Sequence, residues 1–120
     1  MMGMESVAIL KDKLGSKWKI LKETHDTIMS AGSHISFRIF PIYIRYTKWD
    51  KIFAIVYFKG KFAPDDTIDV GLSLRNKPAH PDFVTAQYMK SPEITFSIKI
   101  SEANCSKAVG LLKETLKDEC

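Results

Sequence analysis

Three histidines, two cysteines and fourteen acids are the residues from which this chain would have to build a metal site or an acid–base pair. A structural or catalytic zinc site needs three or four His, Cys or carboxylate ligands, usually seeded by a pair at short spacing. His25, His34 and His80 fall in three different predicted elements, each without a second ligand at that spacing in its own segment. Neither a metal nor a cofactor is therefore expected. His25 sits on an apolar helical stripe and is expected to be a satisfied, partly buried side chain, whereas His80 is a loop residue suited to a pH-sensitive contact. Cys105 and Cys120 have no partner at metal-ligand or thioredoxin spacing, so both are expected to be reduced, with Cys105 a small buried apolar residue.

Asp65, Asp66 and Asp69 are the closest approach to a paired-carboxylate site. Pro64, Asp65 and Asp66 are turn residues, and the alternation that follows puts Asp69 on the wet side of a strand. A nuclease of the PD-(D/E)xK type needs an acid followed by an acid-x-lysine pair on the next strand. Asp66, Asp69 and Lys77 or Lys99 do not fall in that order. A Gly-x-Ser-x-Gly elbow, a Walker loop and a Gly-rich strand-to-helix turn are all missing, so acyl transfer, nucleotide hydrolysis and dinucleotide chemistry lack their parts. No catalytic residue is assigned, and the chain reads as a binding protein rather than an enzyme.

The remaining signal is electrostatic. Residues 38–61 hold Arg38, Arg45, Lys48, Lys51, Lys59 and Lys61 against the single acid Asp50. Tyr43, Tyr46, Trp49, Tyr57 and Phe58 are interleaved with them. Cationic side chains beside aromatic faces hold phosphates and stack bases. The binding set expected for an anionic partner, nucleic acid or an acidic protein surface, is Arg38, Arg45, Lys48, Trp49, Lys51, Tyr57 and Lys59. The plainer account of the same residues is a solvated hairpin whose lysines blunt a sheet edge. A rival site is a small-ligand pocket between sheet and helices, lined by Trp18, Phe37, Tyr88 and Phe96, with a minor enzymatic role.

The elements that must position these residues follow from periodicity. Trp18, Leu21, His25, Ile28 and Met29 recur at three- and four-residue spacing and predict a helix over 16–30, capped by Ser16 and ended by Ala31-Gly32-Ser33. Residues 1–15 form an arm or a further helix. From Ile35 the period becomes two. Residues 35–46 predict one strand, interrupted by Pro41 and for that reason placed at a sheet edge. Residues 51–58 predict a second strand paired to it as a hairpin, apolar on both faces and so central or covered. Two further strands, 67–74 and 94–100, alternate between a core face and a wet face. Ser101 opens a closing helix to about residue 118, with Cys105, Ala108, Val109, Leu112 and Leu116 as its apolar stripe. The stretch 75–92, rich in proline, exceeds an ordinary loop and calls for a short turn or a role of its own.

The expected architecture is an α+β fold, α-β-β-β-β-α, with a four-stranded antiparallel sheet flanked by an N-terminal and a C-terminal helix, in one domain over 1–120. A 45% hydrophobic and 27% charged composition suits such a core. The longest apolar run, 52–58, is far short of the ~20 residues of a membrane-spanning helix. The N-terminus lacks a basic region followed by an apolar core, so a cytoplasmic location is expected. A net charge of +4 and a pI near 9.1 favour acidic partners. Self-association as a homodimer, through the edge strand or the second sheet face, is also expected.

This element order and the phrases Phe40-Pro41-Ile42-Tyr43-Ile44-Arg45-Tyr46, Phe53-Ala54-Ile55-Val56-Tyr57, Ile68-Asp69-Val70-Gly71-Leu72 and Glu93-Ile94-Thr95-Phe96 resemble a prokaryotic family of unassigned activity. That family is often labelled a predicted transport protein domain. The resemblance covers roughly 16–118 and implies the fold rather than an activity. More distantly, the layout is similar to double-wing and iron-chaperone-like α+β proteins. Members of the nearer family carry a Gly-rich, Trp-containing stretch before the last strand, whereas 84–90 here contain neither residue.

Overall fold

The computed structural model describes residues 10, 14–15, 17–64, 66–74, 81–86 and 94–119. Helix α1 spans Lys17–Met29, and strands β1 Ile35–Ile39, β2 Tyr43–Lys48, β3 Lys51–Tyr57, β4 Ile68–Leu72, β5 Val84–Thr85 and β6 Phe96–Ile100 precede helix α2, Cys105–Glu119. The sheet is antiparallel throughout, in the order β1-β2-β3-β4-β6-β5. The α+β class and the two flanking helices are as the periodicity predicts. The sheet has six strands rather than four.

Both extra strands have a physical cause. Pro41 does not interrupt one edge strand; it turns the chain. Phe40 N–H donates to Tyr43 carbonyl oxygen at 2.8 Å, and Ile39 pairs with Ile44, so 35–46 is a hairpin closed around Pro41 and Ile42. Proline lacks an N–H and fixes φ, which suits a turn position. Of these two strands β1 lies at a sheet edge, and β2 lies inside the sheet. The second extra strand, β5, lies in the 75–92 stretch, where the sequence predicts a short turn rather than a strand, and it pairs with β6.

One face of the sheet carries the main core. Ile20, Leu21 and Ile28 of α1 and Ala108, Leu112 and Leu116 of α2 pack on Ile44, Tyr46, Ala54, Val56, Ile68, Val70, Leu72, Ile98 and Ile100. Leu10 and Leu14 join this core; residues 1–9 and 11–13 of the predicted N-terminal arm and the Ser16 cap lie outside the described residues. The closing helix begins later than expected, since Asn104 rather than Ser101 occupies the position before it. Asn104 Oδ1 accepts the Ser101 N–H at 2.7 Å and so ties the entry turn together.

The other face is divided. Its β3–β4–β6 half is covered: Ile55, Tyr57, Ala63 and Ile94 form a second buried cluster with Ile52, Phe62 and Ala86 against it. A bulge makes this possible. Tyr46 pairs with Ala54 and Thr47 with Ile52, so Phe53 is the extra residue. Phe53 therefore joins Ala54 on the helix side, while Ile52 switches to the side of Ile55 and Tyr57. The covered half also corrects the wet-face expectation for Asp69, which is buried. The β1–β2 half of this face has no such cover, and Ser36 and Arg38 are exposed on it.

Candidate functional site

On the uncovered half the register sets Arg38 directly opposite Arg45. Alternation along each strand places Phe40 next to Arg38 and Tyr43 next to Arg45 on the same side. The two guanidinium groups lie 5.6 Å (Arg38) and 5.0 Å (Arg45) from the centroid of one ring, that of Phe40. Both distances are within the cation–π range. Phe40 in turn stacks on Tyr43 with centroids 4.7 Å apart and planes at 14°. Tyr43 meets Tyr57 at 5.2 Å, and Tyr57 meets Phe62 at 5.0 Å. An aromatic row thus leads from the two arginines to the covered half of the sheet. Among the described residues, neither arginine has a carboxylate partner.

The loop that supplies Phe62 is held from both sides. Lys17 at the start of α1 is buried and donates from Nζ to the carbonyl oxygens of Phe58 at 2.9 Å and Ala63 at 3.1 Å. Lys99 of β6 donates to Phe62 carbonyl oxygen at 3.3 Å. Gly60, with φ +88°, allows the reversal that the loop requires. Burial, followed by the neighbouring Tyr43 and Asp69, raises the pKa of the Tyr57 hydroxyl, so it is a neutral donor at the base of the row.

The predicted binding residues separate into three places. Arg38, Arg45 and Tyr57 share the face just described, although Tyr57 is buried and supports Tyr43 rather than meeting solvent. Lys48 and Lys51 pair across the base of the β2–β3 turn, with Trp49 at its tip. Lys59 is exposed in the loop after β3, at the other end of the hairpin. The members that sequence reasoning left out of the set are Phe40, Tyr43 and Phe62. A signal for the first two exists: Arg38, Phe40, Tyr43 and Arg45 are symmetric in type about Pro41-Ile42, the pattern of a hairpin that matches like with like across its strands.

The rival pocket residues are not assembled. Trp18, Phe37 and Phe96 each pack against the main core. Phe37 on β1 and Phe96 on β6 are four strand spacings apart, about 19 Å. Tyr88 lies outside the described residues, as do His80, Asp65, Lys77 and Cys120. An open cleft of about 550 Å³ lies elsewhere, between the C-terminal parts of both helices, with Asp26, Thr27, Ser30, Lys113 and Lys117 around it. Helix C-termini carry partial negative charge, which explains lysines there and disfavours an anion. Asp26 is already paired with Lys22 at 2.7 Å.

The helix-covered side holds the other titratable groups. His25 Nδ1 and Tyr46 Oη are hydrogen-bonded at 2.7 Å, and Phe37 meets the imidazole edge-on at 4.7 Å. Burial lowers the pKa of His25 and raises that of Tyr46, so both stay neutral. His25 is thus the satisfied side chain its helical position predicts. Cys105 is half-buried rather than a core residue, and its Sγ donates to Glu23 Oε2 at 3.2 Å. Burial, reinforced by that carboxylate, pushes the thiol up to about 11, which leaves it unreactive. Among the described residues no three His, Cys, Asp or Glu side chains gather for a metal, and no helix is long and apolar enough to cross a membrane. No protein-family model, curated protein or solved structure matches the chain.

Proposed function

We propose that this protein is a binding module for a phosphate-bearing partner, with the Arg38–Arg45 pair on the uncovered half of the sheet as its anion site. The supporting observation is that two like charges stand directly opposite each other, both ordered against Phe40, with no carboxylate to neutralise them among the described residues. Like charges directly opposed across strands destabilise a sheet by roughly 0.2–1 kcal/mol. That cost is recovered when an anion lies between them, and guanidinium groups match phosphate oxygens in pairs.

Calorimetric titration with tripolyphosphate tests the site. Wild-type protein is expected to bind, and the double variant Arg38→Gln/Arg45→Gln to lose at least tenfold in affinity with its thermal midpoint unchanged or raised. Equal affinity in the double variant refutes the proposal. The interior-pocket alternative has less support, because Trp18, Phe37 and Phe96 are spread across the packed core.

A further inference from the structure

At the end of β2 remote from Phe40, the chain turns through Trp49 and Asp50, whose φ angles are 53° and 64°. Two consecutive left-handed residues make the hairpin turn that Asn-Gly forms most readily. An indole in this conformation is strained, and burial does not compensate it, since Trp49 is 65% exposed. The turn itself does not call for a tryptophan, and among the described residues the ring's aromatic partner is His34. His34, also left-handed at φ 63°, stacks on the indole with centroids 3.6 Å apart and planes at 28°. The free protein therefore holds a preformed two-ring stack at the hairpin tip, on exposed residues.

Trp49 follows Arg45 by four residues, just past the end of β2, and His34 precedes Arg38 by four, just before β1. At the strand rise this separates platform and anion site by at most about 13 Å, a span that a short stretch of extended polyanion covers. Lys48 and Lys51 face each other at the base of the same turn. A platform for flat rings beside a site for phosphates fits one chemistry: single-stranded nucleic acid, whose bases are free to stack while its backbone lies along cations. A polyglutamate-like acidic peptide offers carboxylates but no ring for the indole, and a duplex keeps its base faces stacked on one another.

We propose that the β1–β2–β3 hairpin binds single-stranded nucleic acid, one base extending the His34–Trp49 stack on the free face of the indole and backbone phosphates lying against Arg38 and Arg45. This inference rests on the anion-site reading above. The discriminating variant is Trp49→Asn, because asparagine suits the left-handed turn and removes only the ring.

The probes are a short labelled oligothymidylate, the same sequence as a duplex, polyglutamate and tripolyphosphate. The oligothymidylate is expected to bind wild-type protein most tightly and to quench indole fluorescence. In Trp49→Asn its affinity should fall by on the order of tenfold and the quench should vanish, with tripolyphosphate affinity and thermal midpoint undiminished. Equal oligothymidylate affinity in the variant overturns the inference, as does tighter binding of duplex or polyglutamate. If tripolyphosphate binds and oligothymidylate binds no better, only the nucleic-acid inference fails. If neither binds, the anion site falls with it.

Discussion

Tyr46 and Tyr43 belong to the same strand, point to opposite faces of the sheet and meet opposite conditions. Tyr46 is fully buried under the helices, with its hydroxyl bonded to His25 at 2.7 Å. Tyr43 is half-buried on the uncovered side, stacked on Phe40 beside two arginines. On the closed side polar groups are matched: imidazole with phenol, and the Lys17 ammonium with two carbonyl oxygens. Thr24 Oγ1 is the exception among the described residues. On the open side two like charges are opposed, with no acid against them among the described residues. Under the proposed function, that opposed pair is matched by an anion from outside.

That contrast can be broken most forcefully from the closed side. Leu112→Ala keeps a good helix former and removes only core volume, so it should cost roughly 2–5 kcal/mol in a denaturant titration while leaving anion affinity intact. A loss of anion binding in a still-folded Leu112→Ala protein would mean that the two faces are coupled. Tyr46→Phe leaves His25 Nδ1 buried without its partner and should cost about 1–3 kcal/mol. A negligible change would show that the pair is not a matched polar group.

A smaller effect sharpens the same comparison by pH. Above the ordinary imidazole value of 6.5 both folded and unfolded chains are neutral at His25, and its stabilising contribution is complete. As pH falls below 6.5 the unfolded chain protonates first, so stability declines until the folded imidazole protonates too. His25→Gln should flatten this slope in unfolding curves recorded on either side of 6.5. An unchanged slope would assign the pH dependence elsewhere.

Much of the closed side was legible in the sequence because burial there follows period. The stripes of α1 and α2 and the alternation in β4 and β6 name the main core directly. The open side was less legible, since its geometry depends on one turn. With Pro41 taken as an interruption, Arg38 and Arg45 belong to one strand and cannot face each other; with Pro41 at a hairpin, they must. The cover over the β3–β4–β6 half was equally hidden, because Phe62 and Ala63 come to it from a loop anchored by distant lysines. No local pattern records a lysine 46 residues away holding a carbonyl.

The most direct test of the unmatched arginine pair is the salt dependence of oligothymidylate binding, measured for wild-type and for Arg38→Gln/Arg45→Gln with stability followed in parallel. Each phosphate contact on a single strand contributes about 0.7 to the slope of log affinity against log salt. The double variant should therefore lose about 1.4 from that slope and most of its affinity while remaining as stable as wild-type. An unchanged slope in an equally stable protein would contradict the account and leave the two arginines as surface charge.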